Sequence, residues 1–271
     1  MKTKKEKVVT KSKGISTGLV ILSCFLLAVV FFQFVCGQPS NFVDLNPKGH
    51  PLPGNVFGTL YKGGYVIPLV LTLLFTVITL SVERFFALKR SRGKKDLTSF
   101  VAGVKKKLEA NDMDAARKMC DDQQGSVANI LRAGLLRYED VESIQMNNDE
   151  KASIIQKEIE EATALELPSL EQNLSIIAAI STLGTLFGLL GTVLGMIRSF
   201  AALATEGAPD ANALSTGISE ALMNTAMGIA TGALAIIFYN VFSQQVQNIT
   251  NAVDEIGFAV GQTYTKKHLG K

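Results

Sequence analysis

Four long apolar segments constrain the fold of this chain more than any other feature of its sequence. They cover residues 15–36, 65–88, 174–200 and 214–243. Each is long enough to cross the hydrocarbon core of a bilayer, which takes about 20 apolar residues in a helix. Because a backbone in lipid must satisfy its own hydrogen bonds, such spans are α-helices. The sequence therefore predicts an all-α polytopic membrane protein with four transmembrane helices.

The first apolar segment has two interpretations. A signal peptide is one, but the 22 residues of Ile15–Cys36 exceed the usual apolar region and no Ala-x-Ala cleavage site follows. We interpret the segment as a retained transmembrane helix.

Basic residues beside the apolar segments predict their orientation. Residues 1–14 contain six Lys, and Lys89–Lys95 contains five basic residues, whereas the loops between paired spans contain two Lys or none. Lys and Arg are retained on the cytoplasmic side. The predicted outer loops are 37–64 and 201–213, and the predicted cytoplasmic parts are 1–14, 89–173 and 244–271.

The region 89–173 has apolar residues at helical spacing and is predicted to be a helical domain, with a break at Asn111–Asp112. The helix over 147–167 is expected to continue past Pro168 into the third span. The last helix is expected to continue beyond the membrane as a packing seam with 3-4-3-4 spacing. That seam consists of Val246, Ile249, Val253, Ile256 and Val260.

Several function classes have no support in the sequence. No Gly-x-x-x-x-Gly-Lys loop occurs, and no nucleophile–base pair stands out, so the protein is not expected to be an enzyme. The three cysteines share no metal-like spacing, so neither a metal nor another cofactor is expected. A net charge of +3 is too small and too local to indicate binding to nucleic acid.

The fourth apolar segment contains one acidic residue, Glu220, and no Lys, Arg or Asp between Leu214 and Val241. A charge at membrane depth costs about 2.5 kcal/mol or more, so an intramembrane acid indicates a functional site. The alternative is that Glu220 lies near enough to the helix end to reach headgroup water. We favour the intramembrane position, because Asn240 lies roughly 30 Å further along at about 1.5 Å per residue.

Glycines form rows on the last two spans. At about 100° per residue, the four glycines of the third span share one helix face. Small residues let helices approach closely in lipid, where packing drives association. The predicted helix-packing residues are Gly184, Gly188, Gly191 and Gly195 on the third span, and Gly228 and Gly232 on the fourth. We expect these rows to hold a homo-oligomer together.

Polar side chains form a second row on each of these spans. The rows consist of Thr185, Thr192 and Ser199 on the third span, and Thr216, Glu220, Asn224 and Thr231 on the fourth. They are expected to line a polar space, unless the hydroxyls merely bond their own backbone carbonyls, which is common in membrane helices. Thr225 lies about 140° from Glu220, so a straight helix cannot point both residues at one place.

The motifs GLLGTVLGMIRSF and ISEALMNTAMGIATGALAIIFYNVFSQQV resemble the ExbB/TolQ/MotA proton-channel family, and most closely its ExbB branch. SVERFFAL at the end of the second span is similar to the family's first core span. The resemblance is specific over about 70 residues of the last two spans, looser over 89–173 and absent from 1–64. Three departures stand out: Thr185 replaces a frequent Pro, Asn224 replaces a small apolar residue, and the first span is additional.

The resemblance implies a ring-forming subunit of a proton-driven motor in the bacterial inner membrane, with both termini cytoplasmic. It implies a homopentamer around an ExbD-type dimer with an intramembrane Asp, coupled to a TonB-like protein for transport across the outer membrane. Thr192, Glu220 and Thr225 match the family's pore-associated polar positions, and Thr185 and Asn224 would add polarity beside them. The alternatives are a TolQ-like subunit, a MotA-like or gliding stator, and a non-conducting membrane scaffold.

Overall fold

The computed structural model describes residues 17–47, 49–110, 112–205 and 211–268. The basic tail 1–14, Asn111 and residues 206–210 of the predicted outer loop lie outside the described residues. Within the described residues the regular secondary structure is helical, apart from one isolated bridge between Phe42 and Pro51. The described residues form nine α-helices, from α1 to α9: Thr17–Phe31, Val56–Lys62, Val66–Arg92, Leu97–Glu109, Met113–Gln123, Ser126–Glu142, Asn148–Leu170, Leu174–Thr205 and Ala211–His268. A π-helical turn, Phe32–Cys36, extends α1, and short 3₁₀ turns cover Pro39–Asn41 and Val43–Leu45.

Four of these helices, α1, α3, α8 and α9, include segments long and apolar enough to cross a membrane. The predicted all-α polytopic fold with four spans is therefore confirmed. Helix α8 is uninterrupted through Thr185, since a threonine keeps the backbone N–H that a proline would lack.

The chain divides into two compact units, one comprising Met1–Thr79 and Gly184–Thr231, the other Leu80–Leu183 and Gly232–Lys271. In the first unit, α1 packs against α2 and α3 through aromatic residues. The rings of Phe32 and Tyr61 stack with centroids 4.9 Å apart, and Phe31 meets Phe75 edge-on at 5.8 Å. Buried residues complete this cluster, which contains Ala28, Cys36, Leu60, Ile67 and Leu71. The additional first span is thus anchored to the segment that follows it.

In the second unit, α4 to α7 form a helical domain with the last part of α9. All five residues of the predicted seam on α9 are buried, which confirms that this helix continues as a packing surface. Ile256 and Val253 adjoin Ile159 of α7 and Val127 of α6. Further along the same helix, Tyr264 meets Tyr138 of α6 with ring centroids 4.8 Å apart.

The helix boundaries of the second unit follow local chemistry. Asp112 caps α5, because its carboxylate accepts a hydrogen bond from the backbone N–H of Ala115 at 3.1 Å. The expected helix does continue past Pro168, but the expectation that it runs on into the third span is wrong. Helix α7 ends at Leu170, Asn173 adopts a left-handed conformation with φ of 64°, and α8 begins at Leu174.

A buried ion pair lies at this break. Arg84 of α3 is 2% exposed and bonds both carboxylate oxygens of its neighbour Glu83, at 2.7 and 2.5 Å. The same guanidinium donates to the carbonyl of Ser169 at 3.1 Å, and the Asn173 amide donates to Glu83 at 3.3 Å. The hydrogen bond from Asn173 to Glu83 stabilises the break, because it holds the left-handed residue against α3.

Truncation of the seam should destabilise the helical domain. We expect Ile256→Ala to cost about 2–5 kcal/mol, because a buried isoleucine leaves a cavity among α6, α7 and α9. The measurement is the midpoint of thermal unfolding of the detergent-purified protein, with Asp254→Ala, an exposed position on the same helix, as the control. Equal midpoints for the two variants would contradict this packing.

Candidate functional site

The site is built on close packing of α8 against α9 in one chain. A Cβ atom placed on Gly188 would lie 3.0 Å from Cα of Gly228, and one on Gly228 would lie 2.6 Å from Cα of Gly188. A Cβ on Gly195 would come within 2.6 Å of the Cβ of Ala221. Only glycine fits these positions at this helix separation, because the atoms it faces are mostly backbone.

The remaining glycines of the two rows are arranged as follows. Gly191 is seated against the side chain of Asn224, since a Cβ on it would lie 2.6 Å from Asn224 Cβ. The carbonyl of Gly184 faces Gly228, and Gly184 and Gly232 are both buried. The rows were expected to join subunits of an oligomer. The contacts seen here instead join two helices of the same chain.

Two threonines meet at this contact. The Thr192 hydroxyl of α8 hydrogen-bonds the Thr225 hydroxyl of α9. Thr225 Oγ1 also donates to the carbonyl of Gly188 at 3.1 Å, and Thr192 Oγ1 reaches the carbonyl of Ala221 at 3.4 Å. The pair therefore forms a polar bridge between α8 and α9, next to the contacts made by the glycines. No sequence pattern shows this pairing, because the two residues lie 33 positions apart.

The other hydroxyls of the predicted rows differ in their surroundings. Ser199 donates to the carbonyl of Gly195 at 3.0 Å, and Thr231 donates to Met227 at 2.8 Å. For these two the backbone-bonding alternative therefore holds. Thr185 is half-buried, seven residues before Thr192 on the same helix.

Glu220 is half-buried and lines an open cavity of about 290 Å³. The cavity lies where the end of α8 and the beginning of α9 meet the residues around α2. Its ionisable residues besides Glu220 are His50, Lys62 and Arg198, and its other polar residues are Ser199, Thr216 and Asn224. Lys62 and Arg198 therefore bring two cationic side chains to the cavity that contains the Glu220 carboxyl group. The acid is thus placed in a recess lined mostly by polar and ionisable residues.

Asn224 forms the inner wall of this cavity. It is 1% exposed, and its Nδ2 donates to the backbone carbonyl of Gly63 at 3.1 Å. Its Oδ1 is buried and makes no hydrogen bond with any part of the chain that the structure describes. Such a buried acceptor is costly unless something donates to it. Glu220 and Asn224 are one helical turn apart, so their side chains share a face of α9.

The sequence analysis did not select Lys62, Gly63 or Arg198. Arg198 carried a usable signal, because it is the only charged residue between Leu174 and Phe200. Lys62 and Gly63 carried none, since they lie at the end of the short helix α2 and the bond from Asn224 to Gly63 joins residues 161 positions apart. No group of three His, Cys, Asp or Glu residues within the described residues could hold a metal ion.

The fold and this site define a multi-pass α-helical membrane protein with a carboxyl group recessed in an otherwise apolar span. The sequence profile of the MotA/TolQ/ExbB proton channel family matches residues 122–255. That segment is similar to this family, which confirms the resemblance recognised in the motifs of the last two spans.

Individual relatives agree with this assignment. The chain is 42% identical over 86 residues to an ExbB-like biopolymer transport protein of Synechocystis sp., covering 31% of this chain and 41% of that protein. It is 25% identical over 207 residues to the biopolymer transport protein ExbB of Pseudomonas putida, covering 75% of this chain and 58% of that protein. It is 31% identical over 123 residues to the Tol-Pal system protein TolQ of Pseudomonas aeruginosa, covering 45% of this chain and 53% of that protein. The aligned part therefore spans between 41% and 58% of the length of these relatives.

A large side chain at the helix contact should separate α8 from α9. Gly188→Leu would place its side chain against the backbone of Asn224, Thr225 and Gly228, which cannot yield without moving a helix. The measurement is disulfide formation between cysteines introduced by Thr192→Cys and Thr225→Cys. We expect efficient formation in the otherwise unchanged protein and at least a tenfold loss when Gly188→Leu is added. Leu189→Phe, at a neighbouring exposed position, is the matched control. Unchanged cross-linking in Gly188→Leu would contradict the packing.

Proposed function

We propose that this protein is the ring-forming subunit of a proton-driven motor of the bacterial inner membrane. In this role it couples proton entry, through an ExbD-type partner, to a TonB-like protein that drives transport across the outer membrane. The observation that carries the proposal is the recessed Glu220 carboxyl in the fourth span, near the Thr192–Thr225 bridge. Similarity to the family over residues 122–255 supports the same class of function.

The proposed mechanism uses Glu220 as the group that takes up and releases a proton. A carboxyl group in a recess at membrane depth can exist in neutral and charged forms, because burial disfavours the charge while nearby cations and water favour it. Each elementary charge that crosses the membrane supplies about 2.3 kcal/mol per 100 mV. That free energy is enough to bias a step of a partner helix whose own acid changes its protonation state.

The proposed assembly is a homopentamer in which α8 and α9 of each chain surround the partner's two helices. Thr192 and Thr225 contribute hydroxyls to the proton pathway, and Thr185 and Asn224 extend its polar lining. In this arrangement the glycine contacts fix the α8–α9 pair of each subunit, and other surfaces join the subunits. Both termini and the helical domain then lie in the cytoplasm, as the distribution of Lys and Arg favours.

A second candidate is a TolQ-like role in maintaining the cell envelope. Its support is the 31% identity to the Tol-Pal system protein TolQ of Pseudomonas aeruginosa over 123 residues. The two candidates share the same proton site and differ in the protein that receives the work.

The proposal is tested by replacing the proton site while leaving the assembly intact. We expect Glu220→Gln to reduce growth on a substrate that requires energised uptake to the level of a gene deletion. Thr192→Val and Thr225→Val should each impair growth at least severalfold, since each replaces a hydroxyl with a methyl group at nearly constant volume. Native mass spectrometry should show a pentamer for every variant.

The same strains distinguish the candidates. Loss of energised uptake with normal detergent resistance supports the TonB-coupled role, and the reverse pattern supports the TolQ-like role. Full uptake and full envelope integrity in all three variants would contradict a proton-driven motor and leave the scaffold interpretation. Leu222→Ala, at a 58% exposed position of α9, is the control.

A further inference from the structure

We propose that the cavity holds both protonation states of Glu220, with the charged carboxylate facing Lys62 and Arg198 and the neutral acid donating its proton to Asn224 Oδ1 in a hydrogen bond. Lys62, Arg198 and Asn224 are then positioning residues that set the pH at which the site exchanges its proton. This inference rests on the proposed role of Glu220 as the proton-exchanging group.

The end of α2 and the two glycines that follow it adjoin the site. Lys62, Gly63 and Gly64 are consecutive. Lys62 and Gly63 line the cavity, and Gly64 adjoins the side chain of Arg198 on α8. Lys62 lines the cavity, with its Nζ 5.9 Å from the centroid of the Phe42 ring. Gly63 accepts the Asn224 amide proton, and a Cβ on Gly63 would lie 2.5 Å from Asn224 Oδ1. Gly63 therefore packs directly against Asn224, which forms the inner wall of the cavity.

Arg198 approaches the same turn from α8. Gly64 has a left-handed φ of 76°, and a Cβ on it would lie 2.9 Å from Nη1 of Arg198. A side chain at Gly64 would therefore displace the guanidinium. The two cations come from different elements, and both line the cavity that contains Glu220. Of the described residues lining the cavity, His50 is the one other group that can carry a positive charge.

The neutral state has its own partner. Asn224 Nδ2 must be the donor to the Gly63 carbonyl, so Oδ1 is the acceptor of this amide. That oxygen is buried and makes no bond within the described ranges. A protonated carboxyl group has one O–H to donate, whereas an ionised one has none. Protonation of Glu220 thus creates the donor that the buried oxygen lacks, one turn away on the same helix face.

The two halves of the proposal predict shifts of opposite sign. Removal of a cation removes an interaction that favours the charged carboxylate, so Glu220 should hold its proton to higher pH. Removal of the acceptor removes an interaction that favours the neutral acid, so Glu220 should lose its proton at lower pH. A merely structural role for these residues would not separate the shifts by sign.

The experiment measures the protonation of Glu220 directly in the full-length protein reconstituted in liposomes. A hydrophobic carbodiimide labels protonated carboxyl groups within the membrane, and mass spectrometry quantifies the Glu220 adduct as a function of pH. We expect Lys62→Gln and Arg198→Gln each to move the midpoint up by about half to one pH unit, as partly screened charges do. Asn224→Ala should move it down by roughly half a pH unit, the equivalent of one hydrogen bond.

The controls isolate these shifts from other effects. The titrations are carried out with His50→Gln present in every protein, so that ionisation of His50 does not contribute. Arg132→Gln and Asn248→Ala, at exposed positions of α6 and α9, should leave the midpoint unchanged. If Asn224→Ala does not fold, the acceptor is tested in the unsubstituted protein by infrared spectroscopy. The carbonyl band that Glu220→Gln removes should then show the frequency of a hydrogen-bonded acid.

Midpoints that stay fixed in all three variants, or that shift in one direction, would overturn the proposal, as would a free-acid carbonyl frequency. The assay does not depend on transport. Shifts of the expected signs in a protein that fails the growth test would therefore support the paired states of Glu220 while refuting the motor.

Discussion

The close approach of α8 and α9 at Gly188 and Gly228 is the interaction on which the rest of the site depends. Apolar side chains gain little by leaving lipid for one another, so helices in a membrane associate through packing and hydrogen bonds. Two glycines remove the side chains that would keep the backbones apart. The Thr192 and Thr225 hydroxyls can meet only because of this short separation. The same packing places Asn224 against Gly191 and so positions the wall of the Glu220 cavity.

The polar lining of the cavity offsets the free-energy cost of placing a carboxyl group in a membrane span. An isolated carboxylate in hydrocarbon would be neutralised or drawn towards water. Here the carboxyl group lies in a recess with Lys62 and Arg198 beside it and with a buried amide one turn away. Such surroundings can support either form of the acid, which is what a group that exchanges protons requires. The turn Lys62–Gly64 therefore links the segment after the first span to the chemistry of the last one.

Much of the fold could be predicted because it depends on length and periodicity within single helices. Apolar length predicted the four spans, and the 3-4-3-4 spacing from Val246 to Val260 predicted a buried seam. The motifs around Glu220 indicated the family whose profile matches residues 122–255. Contacts between distant elements could not be predicted in this way. The bond from Asn224 to Gly63 and the break at Asn173 depend on backbone geometry and on partners that no local pattern specifies.

The central claim is that Glu220 carries protons through a helix bundle of this chain and its partner. The most direct test is proton flux into liposomes that contain this protein and a one-span protein of the proposed ExbD type, under an imposed membrane potential. The account predicts flux that is lost with Glu220→Gln while the co-reconstituted assembly keeps its composition. Equal flux with and without the Glu220 carboxyl would contradict the account.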